Sequence, residues 1–162
     1  MATSGVRLKG FVELGTAIAK LPIEIQDKVA RRSVSSGAAV IRNIAVAKAP
    51  KSNSSGKISG VNITSGNLKR SIYIRRVKET SLMAEYEVAV RAPKRVNAKQ
   101  KATGKVGAYY WRFVEFGTSK MGARPFMRLA ATSGKGDAAD TIKSVLGNGI
   151  VAAAAKLGAS SQ

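Results

Sequence analysis

Two prolines, and what lies between them, constrain this chain most. Pro22 and Pro50 enclose a run without another proline in which Ile25, Val29, Val40 and Ile44 keep an i, i+4 rhythm. The rhythm predicts a helix from about Ile23 to Lys48, the longest element of the chain. Pro22 suits its first turn, where Glu24 and Asp27 meet the positive end of the helix dipole. Ala49 ends it, because the residue before a proline is driven out of the α region. Ser33, Ser36, Gly37 and Ala38 place small residues at mid-helix. They mark either a close approach by another backbone, from within the fold or from a neighbouring subunit, or a locally weak helix.

The flanking sequence supplies the remaining elements. Phe11, Leu14, Ile18 and Leu21 fall at helical spacing and predict a short amphipathic helix that Pro22 stops. Residues 51–67, KSNSSGKISGVNITSGN, are rich in Ser, Gly and Asn and read as a loop, mobile in the free protein. Their end, with LKRSI following, reads as a turn that carries Leu68 into a strand. Ile72, Ile74 and Val77 give a rough period of two, and in residues 83–91 Ala84, Tyr86, Val88 and Val90 share one face. With Lys-Glu-Thr-Ser (residues 78–81) as the turn, these form an antiparallel hairpin. Residues 92–106 make a second polar loop with five cations and no carboxylate, read either as solvated tips or as a contact surface.

Tyr109, Tyr110, Trp111, Phe113 and Phe116 then place five of the nine aromatic residues within eight positions, predicting a helical turn that closes the hydrophobic layer. Pro125 opens a last helix with Phe126 and Leu129 toward the core. Residues 133–136 interrupt it, and Asp137 caps its continuation to about Leu157. The fold class is α+β: a long N-terminal helix and a C-terminal helix on one face of a small antiparallel sheet, with two long flexible loops. Residues 1–162 are expected to form one domain, with mobile loops at about 51–67 and 92–106 and flexible termini.

Charge bears on partners rather than fold. The chain has 28 Lys and Arg against 9 Asp and Glu, a formal charge of +19. From Lys28 through Lys78 there are twelve basic residues and no acidic one, and from Arg91 through Arg112 seven more with none. One face or edge is therefore strongly positive and seeks polyanions or acidic protein surfaces. Lys51, Lys57, Lys94, Arg95, Lys99, Lys101 and Lys105 in the two loops are the candidate contacts to DNA or partner.

Chemistry finds little to work with. There is no Cys and no His, which removes disulfides, thiolate metal sites and imidazole-based triads. Glu85 and Glu87, with Glu115 as a third, are the only grouping that resembles a metal-holding set, and ion pairs to the many cations account for them as well. Gly104-Lys105 lacks the spacing of a phosphate loop. The expectation is no enzyme, no catalytic residue, no metal and no cofactor. The N-terminal stretch lacks a leader-like apolar run and the Ala-rich tract near residue 152 is too short to span a bilayer, so no membrane association is expected.

The segments TSGNLKRSI (residues 64–72) and YYWRFVEFGTSKMGARPFMRLA (residues 109–130), in a helix–loop–strand–strand–helix order, resemble the tail-completion or head-tail joining proteins of long-tailed phages, of the HK-ninety-seven-like gene-product-ten type. Matching positions are Pro50, Gly66, Leu68, Ser71, Ile72, Tyr110, Val114, Glu115, Phe116, Gly117, Thr118, Pro125, Phe126 and Ala130, and the resemblance covers residues 21–154. Of these, Gly66, Leu68, Tyr110, Glu115, Phe116, Gly117, Thr118, Pro125 and Phe126 form the structural motif. Gly117 suits a positive φ and Thr118 bonds its own turn. Glu115, nearly alone among basic neighbours, pins an Arg or a backbone amine.

The resemblance implies a structural virion protein of the phage neck, assembled in the bacterial cytoplasm. It implies a homo-oligomeric ring, a hexamer, between the head-closing connector and the tail terminator or tube, around the DNA channel. The alternative is a free-standing basic protein that binds nucleic acid without reading its sequence.

Overall fold

The computed structural model describes residues 15–16, 18–19, 21–51, 56–58, 61–80, 83–92 and 107–159. In chain order the elements are α1 (Ile23–Lys48), β1 (Gly56–Ile58), β2 (Val61–Ile63), α2 (Asn67–Ser71), β3 (Ile72–Thr80), β4 (Met83–Val90), α3 (Trp111–Phe116) and α4 (Met127–Ala159). Phe11 and Leu14 of the expected first helix, and residues 93–106 of the second loop, lie outside the described residues.

The bracket of prolines produces the expected helix. α1 has 26 residues, about 39 Å of helix. Pro22 stands at its N-cap, and the Pro22 carbonyl accepts the amides of Ile25 and Gln26. Ala49 leaves the helix at φ −62°, ψ 129°, the extended conformation that Pro50 requires.

α4 is one continuous helix of 33 residues, which corrects the expected break at 133–136 and the cap at Asp137. Two effects keep it whole. The Thr132 and Ser133 hydroxyls donate to the Arg128 and Leu129 carbonyls one turn back, so these side chains satisfy themselves without leaving the helix. Gly134 is buried against α1, where its missing side chain is a packing feature.

α1 and α4 run antiparallel, and their contact has a simple register. Val29 lies over Gly149, Ile142 over Gly37, and Ile44 over Gly134. The positions advance by seven or eight residues on both helices, two turns at a time. At each level a branched aliphatic side chain on one helix occupies the space a glycine leaves on the other. A Cβ added at Gly37 would stand 2.5 Å from Ile142 Cγ1, at Gly134 2.6 Å from Ile44 Cδ1, and at Gly149 2.6 Å from Val29 Cγ1. Of the small residues at mid-α1, Gly37 is thus explained within the fold.

On its other side α1 packs on the β3–β4 hairpin, where the Arg42 guanidinium donates to the Ile72 carbonyl. The hairpin is antiparallel, with Ile72 opposite Val90, Ile74 opposite Val88 and Arg75 opposite Glu87, and a bulge between Arg76 and Lys78. β3 runs to Thr80, farther than expected, so residues 78–80 belong to the strand and not to its turn. The Arg75 guanidinium binds Glu87 across the strands at 2.7 Å, on the exposed face.

A second correction concerns residues 51–67. They contain a short antiparallel pair, with Gly56 opposite Ile63 and Ile58 opposite Val61. The polar composition conceals three strand-forming residues, Ile58, Val61 and Ile63, in a span too short for a periodicity to register.

The core sits where the C-terminal end of α1, α2, β3, α3 and the start of α4 converge. Ala45, Ala49, Leu68, Ile72, Ala108, Phe126 and Ala130 are its buried members, with Val88, Val90, Tyr110, Trp111 and Val114 packed against them. The alanines let the helices close on two large side chains, Phe126 and Ile72, each 1% exposed.

Candidate functional site

The chain from Ala108 to Ala130 folds as turn, short helix, turn and helix. Trp111 and Phe113 amides return to Ala108 and Tyr110 carbonyls, starting α3. Tyr110, Trp111 and Val114 turn toward the core, while Phe113 and Phe116, three residues apart on the opposite side, stand 54% and 62% exposed. The aromatic cluster therefore closes the hydrophobic layer with one face only, and Leu129, expected in the core, is 49% exposed.

α3 ends at Gly117, whose φ of 79° lies in the left-handed region. The Gly117 amide donates to the Phe113 carbonyl at 2.9 Å. A Cβ there would meet the Ala123 nitrogen and the Met121 carbonyl oxygen at 2.9 Å, so backbone on the far side of the turn also demands glycine. Thr118 and Met121 exchange amide-to-carbonyl bonds of 2.8 and 3.2 Å, and the Thr118 hydroxyl accepts the Lys120 amide at 3.3 Å. The Arg124 amide then donates to the Val114 carbonyl at 2.8 Å, tying the returning chain to α3, and Pro125 leads into Phe126.

Glu115 holds the two helices together. It is 1% exposed, and its carboxylate accepts the backbone amides of Phe126 (2.8 Å), Met127 (3.0 Å) and Arg128 (3.1 Å), the unpaired donors at the start of α4. The Arg128 guanidinium adds an ion pair at 3.2 Å and donates to the Glu115 carbonyl. Burial opposes the charge on Glu115, but the three amides and the guanidinium outweigh it and hold the carboxyl below its ordinary pKa of 4.5. A carboxylate spent in this way has no free lone pair aimed at a substrate.

The earlier motif segment joins the same assembly. Gly66, at φ 73°, caps α2 and places Leu68, 3% exposed, in the core beside Phe126. The Ser71 hydroxyl donates to the Asn67 carbonyl and accepts the Ala108 amide at 3.2 Å, and the Ser71 carbonyl accepts the Arg91 amide. Leu68, Tyr110, Val114 and Phe126 are thus drawn into one core, with Glu115 binding the start of α4 and Gly66, Gly117, Thr118 and Pro125 shaping its approaches. The Arg128 guanidinium lies over the Phe116 ring at 5.2 Å. Arg128 was identifiable in advance only as some nearby Arg, because its distance from Glu115 depends on the turn.

Of the cationic candidates, only Lys51 and Lys57 fall among the described residues. Lys51 is exposed just beyond α1, Lys57 pairs with Asn62 in β1–β2, and Lys94, Arg95, Lys99, Lys101 and Lys105 lie outside the described residues. Among the described residues no group of three or more Asp, Glu, His or Cys is placed to hold a metal ion, and no helix is long and apolar enough to cross a membrane. A groove of about 280 Å³ opens between α1 and the C-terminal half of α4, its aliphatic lining including Ile25, Val29 and Val145, with Lys28, Arg32 and Lys156 beside them. Among the described residues that line it there is no hydroxyl, thiol or carboxylate side chain.

Comparison with known families gives one finding. The model of a family described as "Bacteriophage HK97-gp10, putative tail-component" matches residues 13–117, well over half of the chain. No curated protein and no solved structure matches. The matched span runs from before α1 through α3 and stops at Gly117, on the turn that leads to α4.

Proposed function

The chain belongs to the HK97-gp10 family of bacteriophage tail components, and from that premise we propose that it is a structural joining protein of the phage neck. In this reading it forms a ring, a hexamer, stacked between the head-closing connector and the tail terminator or tube. Its function is assembly, not catalysis. The family membership carries the reading, and the site supports it: the one acidic residue among 107–136 is buried in holding two helices together.

The charge has a role in this setting. Six copies at +19 each surround a passage for DNA, and opposite charge on DNA or on acidic neighbouring rings offsets their mutual repulsion. The cations of 51–67 and 92–106 are the proposed contacts, one loop toward a neighbouring ring and the other toward DNA or a second ring. A single domain spanning 1–162 fits the shared core of the described elements.

Gold-labelled antibody against the protein tests the placement. Label at the head–tail junction of intact virions is expected; label along the tube, or none on virions, would contradict it. The net charge also favours the simpler reading of a free DNA-binding protein. That reading requires affinity for duplex DNA with a steep salt dependence and no association with virions.

A further inference from the structure

We infer that the outer face of the α3–α4 turn is a docking surface for an acidic partner protein, in which apolar side chains flanked by carboxylates seat on Phe113 and Phe116. The inference deepens the neck reading and rests on it.

Four large apolar side chains stand out from one short stretch: Phe113 at 54%, Phe116 at 62%, Met121 at 39% and Leu129 at 49% exposure. The bonds that build the turn join the segments that carry them. Met121 is paired with Thr118, just past Phe116, and Leu129 follows Arg128, whose guanidinium covers the Phe116 ring. Clustered exposed aromatic and aliphatic side chains mark interaction surfaces, whereas single ones do not. Phe, Met and Arg are also residue types enriched at the centres of interfaces.

The face is held in place before any partner arrives. Glu115 binds Arg128 through its guanidinium and its amide, and that guanidinium lies over the Phe116 ring. Surfaces already ordered lose less entropy on binding.

Charge identifies the occupant. Residues 107–136 hold five cations, among them exposed Arg112, Lys120 and Arg124, and one carboxylate, which is buried with its oxygens bonded to the amides of α4. Residues 107–136 therefore offer cations and apolar surface with no exposed carboxylate. Two such faces brought together would set cation against cation, which opposes a symmetric contact between copies. An acidic surface on a different chain is its complement.

The test uses heads and tails from a lysate lacking this protein, mixed separately with purified protein and sedimented at about 0.05 M and 0.5 M salt. The variants are Phe113→Ser/Phe116→Ser, Arg112→Glu/Arg124→Glu and, as a distant exposed control, Val151→Ser. Wild type and Val151→Ser are expected to co-sediment with one particle. The phenylalanine pair should bind at least about tenfold more weakly at both salts. The charge-reversal pair should lose binding most at low salt and keeps the test decisive should the phenylalanine pair fail to fold.

Both pairs binding like wild type would overturn this inference and leave the neck reading standing. Loss of the ring itself in sedimentation velocity would assign the face to a second copy and also overturn it. Wild type binding neither particle would overturn both.

Discussion

The buried carboxylate at Glu115 is the residue on which the motif turns. Replacing it by Ala leaves three amides at the start of α4 and the Arg128 guanidinium without their acceptor. We expect about 3 kcal/mol of lost stability in chemical denaturation; a loss under 0.5 kcal/mol would show that water substitutes freely. The pH dependence has a definite sign. The folded pKa lies below the ordinary 4.5, so the contribution is fully present above about 4.5 and drains as pH falls through the folded value. Glu115→Gln should therefore lose most relative to wild type near neutrality, with the gap narrowing in acid.

Gly117→Ala meets both a left-handed φ and backbone at 2.9 Å, and should cost about 2 kcal/mol or more, read in the same way. These two positions were visible in advance for physical reasons. An acidic residue isolated among cations needs a partner, and a glycine before a polar turn suggests a reversal. The outward aim of Phe113, Phe116 and Leu129 was not visible, because composition registers apolar area and not which side of a six-residue helix is covered.

Helices α1 and α4 show where pattern reading succeeds and where it stops. α1 was legible because two prolines set its ends and its aliphatic residues repeat. The continuity of α4 was not, since Ser-Gly-Lys-Gly carries breaker chemistry and only the facing Ile44 shows that Gly134 is a packing position. Gly136 of that segment and Gly37 of α1, which faces Ile142, should therefore respond in opposite ways to alanine. Gly136 has nothing within 4 Å of an added Cβ, so Gly136→Ala should stabilise by about 0.5–1 kcal/mol through helix propensity. Gly37→Ala gains the same propensity but forces a Cβ to 2.5 Å from Ile142 and 3.0 Å from the Ala138 carbonyl, and overpacking of about 1–3 kcal/mol should prevail. Thermal melts of the two variants shifting in the same direction would contradict the register of the helix pair. The β1–β2 pair escaped notice because three-residue strands lie below the length at which alternation can be counted.

For the whole molecule the decisive quantity is charge in an assembly. In the proposed ring the subunits would close against their own repulsion, so ring formation by the purified protein should strengthen with added salt, by about tenfold or more in apparent association between about 0.05 and 0.5 M, as followed by analytical ultracentrifugation. Fold and family were legible because a pattern of spacings carries them. Position in a stack of rings is a property of contacts between chains, and no single sequence contains it. Electron microscopy of lysate from a phage lacking this gene tests the central claim most directly. The account predicts filled heads beside separate, full-length tails; normally joined virions would contradict it.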